Sequence, residues 1–595
     1  MRMMLRFVVA PIVLATAVAG AAPQFRTLND RQDPPRFESR EAWTPRAKYL
    51  REHILASAGL MPMPARTPLN PVVFDAVRHS EYVVEKVYFE SLPGFFVTGN
   101  LYRPVGAGPF PAILSPHGHW TNGRLEHTAI NSGPGRAIGL ARQGFVVFTH
   151  DMIGYNDSRQ LTHTFGGRRE QLWGLSLGGL QLWNAIRALD FLETLPYVRR
   201  DGFGVTGESG GGTQTFLLGA VDDRVAVAAP VNMISLQMQG GCLCENMPNL
   251  RLDTNNVEIA ATIAPRPLLM VSATGDWTAE TLEREFPAMR SAYALFGAES
   301  NVHAVRFEAE HNYNKDSREA MYAWMARWMQ NAPAGEKRPE KSFTPDSLAD
   351  LLVFYGRPYP ATALKAGQIT EQWIASAARQ VASANTDPAI LQSALRHVLG
   401  FAQAALPPKV DLPPAVELPA NAGSRLTTGS QRLAVVADAP EAVVSALRAA
   451  GFEIQPVTFT PFDEAAAAKI RHFETYNRTA ASQRVLDIVN AMRRSPSATL
   501  IAAGDSALPA LLAAAMTPIA RTIVDVDGFN TSNDVEYLER LYIPGLRRAG
   551  DLRTAGGMFR GLVIVHDGRD GFFMPGARMT PVQLEPRAIV AAAMR

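Results

Sequence analysis

Cysteine is almost absent: the 595 residues hold two, Cys242 and Cys244, too few for a disulfide framework. No segment reaches the ~20 uninterrupted apolar residues of a membrane-spanning helix, so no span is expected in the mature chain. An excess of one charge is lacking too. Fifty-eight basic residues face 56 acidic ones, a net charge of +2, which leaves no electrostatic footprint for nucleic acid or an anionic membrane. Short-period repeats are missing, and a propeller-length β repeat with them. What is there is 47% hydrophobic and 19% charged, a globular composition in a chain long enough for more than one domain.

Residues 1–21 carry Arg2 and Arg6, an apolar run over 7–19, and the small residues Ala19-Gly20-Ala21. That is the pattern of a secretory signal peptide cleaved near Ala21, so a secreted or periplasmic protein is expected. A helical lead-in follows within 22–80, carrying Trp43, Leu50, Ile54 and Leu55. Residues 331–345 are polar and rich in proline and lysine, and 407–419 are proline-rich again. The first stretch reads as a linker, dividing a domain over 81–330 from a second over 346–595.

In 81–330, β-rich runs at 82–89, 95–102, 112–115, 145–150, 203–206, 226–230, 267–272 and 304–307 alternate with helical patterns at 136–142, 177–195, 213–220 and 317–329. Buried, non-alternating strands separated by helices predict an α/β fold, a mostly parallel sheet covered on both faces. Ligands of such sheets sit at the carboxyl ends of the strands.

Two G-x-S-x-G patterns occur, and context separates them. Gly174-Leu175-Ser176-Leu177-Gly178 follows a polar, non-strand stretch and opens a long helix, so Ser176 reads as a helix cap. Gly207-Glu208-Ser209-Gly210-Gly211 lies between an apolar strand and a helix, the setting of a nucleophile elbow. A serine needs a base, and the base an orienting acid. After Ser209, Asp276 follows the strand at 267–272, and His311 follows the last strand. Serine, acid, histidine is the chain order this scaffold uses. Glu280 and Glu310 are rival acids, Glu280 within a helical run. The backbone N–H groups of Gly210 and of His119, in Pro116-His117-Gly118-His119-Trp120, are the expected oxyanion donors.

No metal or other cofactor is expected. A site on His117-x-His119 needs further ligands, and the local sequence offers none. Cys242-Leu243-Cys244 is two positions apart; in an extended chain the side chains diverge, a bridge is strained, and simple loop packing is the expectation.

On these residues the region 80–330 resembles α/β-hydrolase esterases of the acetyl xylan esterase and cephalosporin-C deacetylase kind, with dienelactone-hydrolase relatives. The carriers are His117-Gly118, Asp151-Met152-Ile153-Gly154-Tyr155-Asn156-Asp157-Ser158, the 207–211 elbow, Asp276 and His311. His119 stands where such deacetylases usually have tyrosine. The resemblance implies an α/β-hydrolase fold and hydrolysis of a small ester or acetylated saccharide. A prolyl-oligopeptidase-like peptidase and a non-enzymatic carbohydrate-binding scaffold are the alternatives.

In 346–595, strand-like runs at 432–437, 498–503, 522–526 and 561–565 alternate with helices. Ser506 sits in an elbow-like place, with Leu508 where the second glycine belongs and only His566 downstream as a histidine. A second, degenerate hydrolase-like domain without its own triad is expected, the alternative being an unrelated α/β accessory domain.

Overall fold

In the computed structural model, which describes residues 25–401, 432–569, 571–581, 583 and 585–594, each run of buried β-branched and aromatic residues has become a strand. The signal-peptide segment and the proline-rich stretch 407–419 lie outside the described residues.

The first sheet contains β1 (Val72–Arg78), β2 (Tyr82–Leu92), β3 (Phe95–Pro104), β4 (Phe110–Leu114), β5 (Val146–His150), β6 (Val198–Glu208), β7 (Val225–Val231), β8 (Leu268–Gly275) and β9 (Val302–Glu310). Their order is β1-β2-β3-β5-β4-β6-β7-β8-β9. The pairs β1–β2, β2–β3 and β3–β5 are antiparallel and the rest parallel. This is the α/β-hydrolase fold that the sequence predicts. Period-2 alternation sorts the side chains onto two covered faces. Ala112, Leu114, Val146 and Phe148 enter one core with Phe89, Trp183 and Phe191, while Ile113 and Val147 enter the other with Ile138, Tyr313 and Tyr322. Helices Leu177–Thr194 and Gly210–Val221 supply residues to the first core, Gly133–Arg142 and Lys315–Met329 to the second.

The second sheet is wholly parallel: β10 (Arg432–Ala437), β11 (Phe452–Pro456), β12 (Thr499–Ala502), β13 (Arg521–Asp525), β14 (Leu562–His566) and β15 (Ala577–Met579), in the order β11-β10-β12-β13-β14-β15. That order repeats the parallel part of the first sheet, β5-β4-β6-β7-β8-β9. In this correspondence β12 stands for β6.

The joint is exposed or half-buried throughout but anchored by polar contacts. Residues 331–345 lie along the first unit, where the carboxylate of Glu340 accepts from Arg318 at 2.6 and 2.7 Å and from the Tyr322 hydroxyl at 2.9 Å. Leu351, Ile369, Trp373, Ile374 and Ala377 follow that segment and still belong to the first unit's cores; Ala394 and Leu395 belong to the second's. The halves meet through Arg548, wholly buried, which donates to the carbonyls of Gly59 and Pro62 and to Gln380 Oε1. No helix of the described residues is long and apolar enough to cross a membrane.

Candidate active site

The three side chains singled out for acyl transfer follow the carboxyl ends of three parallel strands of the first sheet, β6, β8 and β9, with β7 between the first two. Ser209 closes β6 and precedes the helix Gly210–Val221, with φ 55° and ψ −122°. A non-glycine residue in that region costs roughly 1–3 kcal/mol and persists only where its surroundings impose it. Here the Ser209 N–H is held by the Val231 carbonyl at 3.0 Å, and the glycines around it admit neighbouring backbone: a Cβ on Gly211 would lie 2.6 Å from the Pro116 carbonyl oxygen.

Asp276 follows β8 and His311 follows β9. His311 Nδ1 and Asp276 Oδ2 are 2.7 Å apart, and the other carboxylate oxygen accepts from the Thr278 N–H and hydroxyl. The imidazole is stacked on Trp120 (centroids 6.0 Å apart) and packs against the tilted ring of Trp277 (4.5 Å). His311 Nε2 is buried without a hydrogen-bond partner, leaving it free to take a proton. Of the rival acids, Glu280 is engaged by Arg31 at 2.7 Å and by Arg284. Ser176 caps the helix Leu177–Thr194 by accepting from the Gly179 N–H at 3.1 Å, as expected.

Sequence reasoning missed Glu208, the residue before the nucleophile. Its buried carboxylate accepts from the Gly118 N–H (3.1 Å), Trp120 Nε1 (2.8 Å) and Asn131 Nδ2 (3.2 Å) through one oxygen, and from Arg136 at 2.7 Å through the other. It fixes the His-Gly-His-Trp loop against the elbow. A Cβ on Gly118 would lie 3.1 Å from the Ser209 Cβ, so this loop borders the nucleophile, and the His119 N–H donates to no other group among the described residues. The Asp151–Ser158 motif is structural: Arg124 pairs with buried Asp151 (3.3 Å) and Asp157 (2.8 Å).

The expectation of no metal ligands rested on local sequence, and the fold overturns that reason. His117 is used up, its Nδ1 held to the Gly118 carbonyl at 2.7 Å and its Nε2 accepting from the Met152 N–H at 2.9 Å. His119 instead joins His163, Cys242 and Cys244, whose potential ligand atoms all lie within 4.8 Å of one another. The cysteines do not diverge because the chain is not extended there: a tight turn over Leu243–Glu245, pinned by Glu245 accepting from the Gly241 and Cys242 N–H groups, brings both sulfurs inward. Both cysteines are free thiols. The Cys244 thiol, with His119 and His163 beyond it, holds the Cys242 thiol well below its ordinary range, whereas burial pushes Cys244 up.

Ser506 lies after β12, at the place of the elbow. Its φ is −95°, an ordinary helical value, and its buried hydroxyl donates to Asp438 at 2.6 Å while accepting from Arg484 at 3.1 Å. A cleft of about 930 Å³ opens nearby between the halves, lined by Phe459, Phe473, Arg484, Tyr542 and Arg168; Ser209, Asp276 and His311 are not among its walls.

No family model matches the chain. In an alignment of 291 positions that covers 45% of this chain, it is 24% identical to the Bacillus subtilis (strain 168) protein named "Putative hydrolase YtaP", covering 95% of that protein. Among solved structures it is similar to a methylesterase at 32% identity and a TM-score of 0.44, over 49% of this chain; it spans 65% of that protein's length. A "putative acetyl xylan esterase" from Bacteroides fragilis NCTC 9343 is 20% identical, over 47% of this chain and 80% of its own, with a TM-score of 0.39. A glucuronoyl esterase from Caldicellulosiruptor kristjansonii is 15% identical, over 55% and 96%, with a TM-score of 0.35.

Proposed function

We propose that this protein is a secreted serine esterase that hydrolyses short-acyl, acetyl-type esters of carbohydrate or plant-derived substrates. One observation carries the mechanism: the Asp276–His311 pair, 2.7 Å apart, on the same sheet edge as a serine held in the left-handed region. The Ser209 hydroxyl attacks the ester carbonyl carbon while His311 Nε2 takes its proton. Asp276 keeps Nδ1 protonated and stabilises the imidazolium. The N–H groups of Gly210, first in its helix and without an intrahelical acceptor, and of His119 receive the oxyanion. His311 then protonates the departing alcohol. Water, deprotonated by the same imidazole, attacks the acyl-enzyme, and the imidazolium returns that proton to the Ser209 oxygen as the Ser209–acyl bond breaks and the acid leaves.

The substrate class rests on the sequence resemblance, and secretion on the pattern of residues 1–21. The relative named as a hydrolase supports hydrolysis in general. The test is a side-by-side panel of acetylated saccharides, aryl acetates, methyl esters and chromogenic peptides. Wild type is expected to cleave the acetyl esters, and Ser209→Ala to lose about three or more orders of magnitude in kcat. Cleavage of the peptides alone, or an active Ser209→Ala protein, would overturn the reading.

A further inference from the structure

The cluster beside the elbow is where the fold spends its only cysteines. Both thiols of the chain converge with two imidazoles that arrive from different loops: His119 after β4, His163 after β5, and Cys242 and Cys244 after β7. Two sulfurs and two imidazole nitrogens are a soft, borderline donor set that matches zinc(II) in four-coordinate geometry.

Three features prepare these groups for a metal. His163 Nδ1 lies 2.6 Å from the Ile153 carbonyl; donating there fixes the tautomer and leaves Nε2 with its lone pair, as metal-bound histidines are usually held. Among the described residues that Nε2 is buried with no hydrogen bond of ordinary geometry, and the Cys242 thiol is the polar group beside it. His119 Nε2 already lies 3.1 Å from the Cys244 sulfur. Tetrahedral zinc with ordinary bond lengths holds such atoms about 3.3–3.8 Å apart, so a contraction of about an ångström from the 4.8 Å limit closes the site. Room for the His119 ring comes from the elbow itself: a Cβ on Gly210 would stand 2.4 Å from His119 Cε1.

We propose that His119, His163, Cys242 and Cys244 bind one zinc ion in a closed structural site that ties three loops together behind the nucleophile. As the two Zn–S bonds form, each thiol releases its proton to solvent, and both imidazoles bind as neutral donors. With all four positions taken by protein there is no open position for water or substrate. The ion therefore positions His119 and, through it, the loop beside Ser209. The second half of the chain braces the arrangement. Arg471 donates to the Gly241 carbonyl at 2.7 Å, and the Asn249 and Arg251 N–H groups donate to the carbonyls of Glu474 and Thr475. The metal assignment stands apart from the esterase reading; only the use of the fixed loop depends on it.

The test uses the full-length protein, produced with zinc in the medium, freed of any affinity tag and dialysed against metal-free buffer. Elemental analysis is expected to give about one zinc per chain. Titrating the thiols with an organomercurial should release that zinc to a colorimetric chelator in step with loss of the two thiols. Cobalt(II) in place of zinc should show thiolate-to-metal charge transfer and tetrahedral d–d absorption. Cys244→Ser and His163→Ala should reduce bound metal at least about tenfold, while His303→Ala, on the far strand β9, should retain it. Folded wild-type protein holding less than roughly 0.1 zinc after incubation with an equivalent of the ion would overturn the proposal. So would a cobalt spectrum without thiolate bands, or a Cys242–Cys244 disulfide in the folded, metal-free protein. None of these readouts depends on ester hydrolysis.

Discussion

Ser176 and Ser209 sit in the same five-residue pattern, and what separates them is the backbone that each inherits. Ser176 has extended dihedrals and spends its hydroxyl on the Gly179 N–H, so Ser176→Ala should cost about 1 kcal/mol of stability and leave ester hydrolysis intact; loss of activity there would reassign the nucleophile. Strand context made this distinction legible in the sequence, as it did Asp276 and His311, because each follows its own apolar run. Glu208 was not legible. Its partners Gly118, Trp120, Asn131 and Arg136 lie 72 to 90 residues away, and nothing local marks a buried carboxylate. Glu208→Gln keeps an oxygen for the three donors on one side but turns an amide N–H₂ against Arg136, stranding a buried guanidinium. Breaking such a pair typically costs 3–5 kcal/mol, so a marked fall in Tm is expected. As a positioning residue for the loop beside Ser209, its loss should lower kcat with KM nearly unchanged. Adding Arg136→Met should recover part of the stability, since both charges are then gone. An unaltered Tm and kcat in Glu208→Gln would refute the role.

At the scale of elements, the sequence revealed what is buried and hid what is exposed. The central strands β4 to β8 read as apolar runs because both faces are covered. The edge strand β1 escaped: its residues are exposed or half-buried throughout, with Asp75 in mid-strand. The short strands β11 and β15 escaped likewise, ending in Pro456 and lying largely in solvent. The metal-ligand cluster was hidden for a different reason, since it is assembled from loops after three different strands. The helix Gly210–Val221 shows how one element serves both catalysis and packing through its first residues. Gly211→Ala would drive a Cβ to 2.6–2.9 Å from the backbone of Pro116 and His117, which cannot yield; loss of fold stability is the expected result. Gly210→Ala meets side-chain atoms instead of backbone, His119 Cε1 at 2.4 Å and Met152 Cε at 2.8 Å. It should lower Tm less than Gly211→Ala and displace His119, cutting kcat by about tenfold or more. Equal effects of both substitutions on Tm would contradict this division.

At the scale of the whole molecule, the alternation of strands and helices made two α/β sheets legible. The stretch 331–345 between them is exposed or half-buried throughout, with Glu340 anchored by Arg318 and Tyr322, and the halves are joined where the helix Arg40–Ser57 meets Pro388–Val398. There the rings of Tyr49, His53 and His397 pack with centroids 4.7–5.5 Å apart, Tyr49 stacked on His53 and His397 tilted against both, and His53 Nε2 contacts the Asn249 carbonyl at 2.9 Å. Burial first, and then neighbouring His397, pushes His53 down to about 4 from an ordinary 6.5. The unfolded chain therefore binds a proton that the folded chain refuses. Stability from this group is fully present above about pH 6.5 and is lost as pH falls toward 4. Burial places His150, at the end of β5 in the first sheet, at about 4 as well, so it acts in the same window. Below that, Glu52 takes over: its hydrogen bond to His397, then those to Lys48 and Ser393, hold it down to about 2. Its contribution is present above 4.5 and is lost between 4.5 and 2. The protein should thus lose Tm steeply between about pH 6.5 and 4. His53→Gln, which keeps a donor for Asn249 but cannot titrate, should flatten that limb even if it lowers Tm at neutral pH. Thermal unfolding of both proteins across the range decides it, and parallel acid limbs would show that the buried interface histidine does not carry the dependence.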